Sequence, residues 1–340
     1  MRQLITLNEI PDGLLDLEAD ELTTMLSGTT LVHLPGRRRE PLFITVLLHG
    51  NEITGWQALR GMLRKFQHKE LPRSLSFLVG NVSAAAEGAR HLPGQPDYNR
   101  IWDGRGGSEQ QMMSEVVEQM RQRNVFASID VHNNTGRNPH YGCVNLLEQS
   151  HLHLATLFSR TVVYFTRPAE VQSIAMSKIC PAVTVECGQP GEPHGVEHAQ
   201  QFLESCLHLS EIPSHPVAHG DVDLFHTVAT VKIPGAVRFG FGDSDQGMDS
   251  LDLCFADDLD QLNFQEIPAG TSFGVVCSDR VDHIEVWSEA GEDVGDRFFE
   301  VEDGELRTKR AVMPSMLTRD EEVIRQDCLC YLMERMDYYD

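Results

Sequence analysis

Between residues 29 and 209, apolar runs of strand length alternate with stretches of helical periodicity, and this alternation constrains the chain more than anything else in it. "TTLVHLP" (29–35) and "LFITVLLH" (42–49) read as strands joined by the polar turn "GRRRE" (36–40). Ile53, Trp56, Leu59, Leu63 and Phe66 then recur at helical spacing. "SLSFLVGNV" (74–82), "VFASIDVH" (125–132), "VVYF" (162–165) and "PAVTVECG" (181–188) read as further strands. Helices are expected at 108–123, 148–160 and 195–209. Strands alternating with helices over roughly 200 residues imply an α/β layer structure around a mainly parallel or mixed sheet.

The texture changes near "EIPSHPVAHG" (211–220), where prolines break the pattern. Short strands and turns are expected from there to about residue 310, and "TRDEEVIRQDCLCYLMERM" (318–336) is expected to close the chain as a helix. The division is therefore a catalytic α/β domain over 1–212 and a β-rich domain over 213–340 ending in that helix. The aspartate-rich run 242–261 lacks the spacing of an EF-hand and reads as a solvated loop. "CLC" (328–330) reads as buried thiols in the closing helix, and His151 and His153 point to different helix faces, which rules against a shared metal.

Two strands stop at histidines. His49 ends one, and Glu52 follows at the start of a helix; His132 ends another, with Asp130 two residues earlier on the same side. Ligands bind beyond the carboxyl ends of strands in open α/β sheets. Two imidazoles and a carboxylate there match a catalytic zinc site, and Asp130 is placed to orient the His132 ring. Glu186 ends a valine-rich strand, where a carboxylate is costly unless paired or chemically useful; beside a metal it would act as general base and then proton donor. Arg90, Asn99 and Arg100 lie in "GARHLPGQPDYNRIWDG". Arginine there can bind a carboxylate or a developing oxyanion, or it can pair with Asp97 or Asp103.

The stretches "HGNE", "DYNR", "DVHNNT" and "VECGQP", in that order, resemble the zinc carboxypeptidase superfamily, in its succinylglutamate desuccinylase/aspartoacylase branch. The resemblance covers about residues 40 to 210. It implies a zinc-carboxypeptidase-like mixed sheet flanked by helices, with a smaller β-rich C-terminal domain. It implies one Zn²⁺ per chain held by His49, Glu52 and His132, with Glu186 and Arg90 catalytic and Asn99 and Arg100 gripping a substrate carboxylate. The branch places an arginine shortly before its catalytic glutamate, whereas "VQSIAMSK" (171–178) has none; Lys178 and Arg167 are the nearest cations.

The function expected is hydrolysis of the amide bond of an N-acyl amino acid. A carboxypeptidase or amidase acting on short peptides is the alternative, and a non-catalytic zinc-binding regulatory protein a third reading. The 28 basic and 51 acidic residues leave a net charge of −23, a field that repels nucleic acid and anionic membranes. No apolar stretch reaches the ~20 residues that span a bilayer. The N-terminus turns acidic early without a small-residue cleavage site, so no leader is expected. Eight cysteines without framework spacing suit a reducing compartment, and the cytoplasm is the expected location. A homo-oligomer is compatible with all of this.

Overall fold

The computed structural model describes residues 3–218, 220–242, 250–281 and 283–337. The chain divides into two compact units, Met1–Asn133 with His140–Asp223, and Asn134–Pro139 with Leu224–Asp340. Among the described residues no helix is long and apolar enough to cross a membrane.

The first unit is built on strands β1 (Ile5–Leu7), β2 (Thr30–Leu34), β3 (Gly36–Val46), β4 (Leu71–Val79), β5 (Ala127–His132), β6 (Tyr141–Val144), β7 (Thr161–Tyr164) and β8 (Ala182–Glu186). Its helices are α1 (Thr54–Phe66), α2 (Val82–Ala86), α3 (Ser108–Gln122), α4 (Gln149–Thr156), α5 (Gln172–Ser177) and α6 (Pro193–His208). The strands form one mixed sheet in the order β1-β2-β4-β3-β5-β8-β6-β7. β4, β3, β5 and β8 run parallel at its middle, while β2 and β6 are antiparallel to their inner neighbours. β5 is buried along its whole length although Ser128, Asp130 and His132 alternate with its apolar residues, so each polar side chain there needs a partner. The polar exceptions are paired: Ser128 Oγ accepts from Gln172 Nε2 at 2.9 Å, and Asp130 belongs to the site described below. α1 lays Trp56, Leu59, Met62 and Leu63 into the core, and the Trp56 indole donates to Leu17 O at 3.0 Å.

Two expectations in this unit are corrected. "GRRRE" is not a turn; Gly36–Glu40 is the first half of β3, with Gly36 beside Leu71 and Arg38 beside Arg73 of β4. Tertiary pairing overrides the polar sequence. A Cβ on Gly36 would stand 2.3 Å from the Arg73 carbonyl carbon, so only glycine allows that approach. The arginines have work at the end of α6. Arg38 Nη1 donates to the carbonyls of His208 and Leu209 at 3.2 and 3.1 Å, and Arg73 Nη2 to Leu209 O at 3.0 Å, covering carbonyls that the helix itself leaves unpaired. The second correction concerns "LFITVLLH". β3 ends at Val46, Leu47 takes a left-handed φ of 57°, and His49 lies in the turn beyond. Glu52 precedes α1 rather than opening it.

The second unit is β-rich. Its elements are β9 (Asp223–Lys232, whose first residue belongs to the first unit), β10 (Phe239–Phe241), β11 (Leu253–Phe255), β12 (Ser272–Val276), β13 (Glu285–Ser288), α7 (Gly295–Phe298), β14 (Phe299–Glu302), β15 (Glu305–Thr308), β16 (Met313–Ser315), α8 (Glu321–Gln326) and β17 (Cys330–Arg335). Five strands form a sheet ordered β10-β11-β12-β15-β14, and β9 pairs with β13 on one side and β17 on the other. Asp303 and Gly304, both at positive φ, make the two-residue turn between β14 and β15. Phe255, Phe273, Leu253 and Leu332 pack in its core.

The expected closing helix is corrected here. Only Glu321–Gln326 is helical, capped by the Asp320 carboxylate, and "CYLMER" is a strand between β9 and β16. A short apolar run fits either state by periodicity, and the strands beside it decide the matter. Cys328 and Cys330 are buried thiols, as expected, though not in a helix. The aspartate-rich run is corrected in part. Residues 243–249 lie outside the described ones, but 253–255 are the buried strand β11, and Asp252 is buried and accepts from Arg238 and Ser278.

Candidate metal centre and active site

The turn after β3 brings the first two candidate ligands together. Glu52 N donates to His49 O at 3.2 Å, closing a four-residue turn. Gly50 permits it, because a Cβ there would lie 2.3 Å from backbone atoms of Ala84 and Ala85 in α2. The two histidines then converge on one carboxylate. His49 Nδ1 lies 2.7 Å from Glu52 Oε1, and His132 Nδ1 lies 2.7 Å from Glu52 Oε2. One ligand atom from each of the three residues falls within 4.8 Å of the others, and all three side chains are buried. The rings meet edge-on with centroids 5.1 Å apart.

The far nitrogen of each ring rests on a second carboxylate. His132 Nε2 donates to Asp130 Oδ2 at 2.8 Å, and Asp130 Oδ1 accepts from Thr45 Oγ1 at 2.5 Å. His49 Nε2 donates to Asp97 Oδ1 at 3.0 Å. Both Nε2 atoms are thus donors, so the two Nδ1 atoms, which here face the Glu52 carboxylate, are the ones that would turn lone pairs to a bound cation. Carboxylates fix metal-bound imidazoles in this tautomer.

Electrostatics point the same way. Burial opposes a charge on His132, yet Asp130 and Glu52 outweigh it and raise its pKa well above the ordinary value. His49 is raised too, with burial and Arg90 opposing and Glu52 and Asp97 prevailing. Burial likewise opposes ionisation of Glu52, but the two imidazoles hold its pKa well below the usual carboxylate range. Three carboxylates around two imidazoles, Glu52 and Asp130 buried and Asp97 partly so, make a cavity that favours a cation. The donor set of two nitrogens and a carboxylate matches catalytic zinc, which takes three protein ligands and keeps one position open.

Glu186 is buried at the end of β8, directly beside His132 in the parallel pairing of β5 and β8. Residues side by side on parallel strands face the same side, so Glu186 and His132 share one face of the sheet. Arg90 reaches the centre through Asp97, donating from Nε at 3.2 Å and Nη2 at 2.9 Å to Oδ2. The pairing of Arg90 with Asp97, open from the sequence, is therefore formed. Asn99 is buried; its Oδ1 accepts from Gln172 N at 3.1 Å, and its Nδ2 stands 3.3 Å from His132 Nε2. That nitrogen is a donor to Asp130, so the Asn99 contact is one of packing. Arg100 Nη1 donates to Asn99 O at 3.1 Å.

Sequence reasoning assigned Asp97 only as a partner for arginine, whereas it also orients His49 and accepts from Asn99 N at 2.7 Å. Its place two residues before Asn99 in "PDYNR" was the available signal. Asn133 was also missed. Its backbone N donates to Glu52 Oε2 at 3.1 Å, its Oδ1 accepts from Thr54 N at 3.2 Å, and its Nδ2 donates to Gly188 O at 2.8 Å.

The model of the succinylglutamate desuccinylase/aspartoacylase catalytic domain matches residues 40–212. The chain belongs to this family. Desuccinylases and aspartoacylases are hydrolytic deacylases that act on amide bonds. The fold is shared with succinylglutamate desuccinylase from Chromobacterium violaceum at 15% identity and a TM-score of 0.58, covering 91% of this chain and 89% of that one. Murine aminoacylase 3 aligns at 16% identity and a TM-score of 0.56, covering 88% and 96%. The ectoine utilization protein of Ruegeria pomeroyi aligns at 14% and 0.55, covering 90% and 88%. No curated protein matches the chain significantly by sequence.

Proposed function

We propose that the protein is a zinc-dependent hydrolase that cleaves the amide bond of an N-acyl amino acid. The observation that carries this reading is the convergence of His49 Nδ1 and His132 Nδ1 on Glu52, with a carboxylate behind each ring. His49, Glu52 and His132 would hold the zinc. Zinc held there would supply a Lewis acid that polarises the amide carbonyl and eases deprotonation of water.

The rest of the chemistry falls to the protein. Glu186, on the same face as His132, accepts the proton of the attacking water and returns it to the leaving nitrogen. Arg90 keeps Asp97 against His49 and places positive charge beside the developing oxyanion. Arg100, with Asn99 beside it, takes the free carboxylate of the amino acid. A reducing compartment such as the cytoplasm suits its free cysteines.

The test is hydrolysis of N-acetyl amino acids and dipeptides by zinc-loaded and by chelator-treated protein. Release of free amino acid by the zinc-loaded form alone supports the proposal. Cleavage of dipeptides only would replace it with the peptidase reading. Bound zinc without any hydrolysis would replace it with a binding function.

A further inference from the structure

A second group of histidines lies outside this centre and shares no residue with it. His140 precedes β6, and His194 and His198 stand one turn apart on α6. Tyr141 pairs with Glu186 across β6 and β8, so it faces the same side of the sheet as Glu186. His140, one residue earlier, meets the rings of α6 instead. Its ring centroid is 5.3 Å from that of His194 and 5.0 Å from that of His198, and the last two are 6.4 Å apart.

The two separations from His140 are the ones a shared ion requires; the 6.4 Å between His194 and His198 is wider, and the exposed His194 side chain closes it by a change of χ1 rotamer. Imidazoles bound at about 2.0–2.1 Å to a tetrahedral ion have ring centroids on the order of 5 Å apart. The His49–His132 pair, at 5.1 Å, has the same spacing. The difference is orientation. The His140 pairs are stacked at 23° and 25°, and among the described residues only the His49 group has its ligand atoms already converged. The ring torsion of histidine is broad, so rotation about Cβ–Cγ costs little.

Three further observations suit an ion. His198 Nε2 donates to Phe158 O at 2.7 Å, the backbone bond that fixes a ligating histidine and leaves the Nδ1 lone pair for a metal. Gly188, at a φ of 75°, lets two donors come close where a side chain would crowd them. Both His140 Nε2 and Glu192 Oε2 lie 3.2 Å from the place its Cβ would occupy, so a fourth donor, the carboxylate at the head of α6, borders the same space. Finally, burial and then the neighbouring His198 and His194 hold the His140 pKa below its ordinary value, against the pull of Glu192, which keeps the imidazole neutral and able to ligate.

We propose that His140, His194, His198 and Glu192 form a second divalent-metal site, selective for imidazole-preferring ions such as Zn²⁺ and Ni²⁺ over Mg²⁺ and Ca²⁺. An ion there ties the residue before β6 to the first turns of α6. It takes no part in hydrolysis, and the proposal stands whether or not the chain is a hydrolase.

The test is equilibrium dialysis of the full chain against zinc chloride, followed by metal analysis, with Ni²⁺ broadening of histidine ring resonances as a second readout. Wild type should take up a second zinc per chain beyond the one at the His49 centre. His194→Ala, at an exposed position where folding is not at stake, should lose the second zinc and keep the first; His140→Ala should do the same. His49→Ala should lose the first and keep the second. No second zinc in wild type, or a second zinc unaffected in the His140→Ala/His194→Ala double variant, would overturn the proposal. Ni²⁺ should broaden the His140, His194 and His198 signals in the His49→Ala protein, and unaffected signals there would also overturn it.

Discussion

His132 and Glu186 stand side by side at the ends of β5 and β8, in direct register. One residue is a candidate ligand and the other a candidate base, and their separation is fixed by backbone pairing rather than by loop conformation. Glu186→Gln should therefore leave the centre intact. Zinc should be retained, and kcat should fall by a factor on the order of 10² to 10⁴. Near-normal turnover in a folded, zinc-loaded variant would remove Glu186 from the chemistry.

The carboxylates behind the imidazoles should matter to the metal more than to the fold. Asp97→Asn keeps an acceptor for His49 Nε2 but removes its charge. Zinc affinity, measured by competition with a chelator, should weaken by about 10- to 100-fold. Asp130→Asn should act similarly through His132. Unchanged affinity in both would mean that the rings need no such support.

Gly50 links sequence to site. A Cβ at this position meets backbone, not a flexible side chain, so Gly50→Ala must shift the turn between His49 and Glu52. The expected cost is about 1–3 kcal/mol of stability, together with loss of tightly bound zinc. Thermal unfolding and metal content check both, and a stable variant with full zinc would show that the turn relaxes freely.

A pH effect arises away from the metal. His33 Nε2 donates to Gln119 Oε1 at 3.0 Å, and its Nδ1 accepts from Ser76 Oγ at 2.8 Å. Burial lowers the His33 pKa, opposed by the Gln119 bond and aided by Arg123. A depressed histidine pKa means that the unfolded chain takes up the proton first. Stability present above the unfolded value of about 6.5 is then lost as the pH falls toward the folded value. His33→Asn should flatten the decline of stability between about pH 7 and about pH 5. Denaturant titrations at both pH values would read it, and an unchanged slope would refute it.

Substrate choice should follow the cations near the centre. Arg100→Ala should raise KM strongly for substrates with a free carboxylate and much less for the matching carboxamides. Segment 171–178 has no arginine, so N-acetylated leucine, phenylalanine and methionine should be preferred to N-acetylaspartate. The measurement is kcat/KM across that set. A tenfold preference for N-acetylaspartate or N-succinylglutamate, about 1.4 kcal/mol, would point instead to Lys178 or Arg167 as the missing cation.

Much of the α/β unit was legible because its central strands are buried on both faces and advertise themselves as apolar runs. The histidines stood out because they interrupt those runs at the ends where ligands bind. Arg38 misled because the reason for its place lies at the end of α6, some 170 residues away. "CYLMER" misled because a short apolar run takes its state from its neighbours, β9 and β16, which nothing local reveals. Asp97 was visible but ambiguous: the same carboxylate serves Arg90 with one oxygen and His49 with the other, and a sequence shows the residue without the division.

Asn133 joins three segments with one residue, holding Thr54 at the head of α1, Gly188 after β8 and the Glu52 carboxylate. Anyone transplanting the loops of a relative into this scaffold to change its specificity will meet that junction first. A graft that brings its own Gly188 turn without matching the reach of the Asn133 amide will displace Glu52, and an altered substrate preference will then be hard to tell apart from a damaged centre. The turn at Glu52, the head of α1 and the turn after β8 meet at one residue, so a change in any of them reaches the other two.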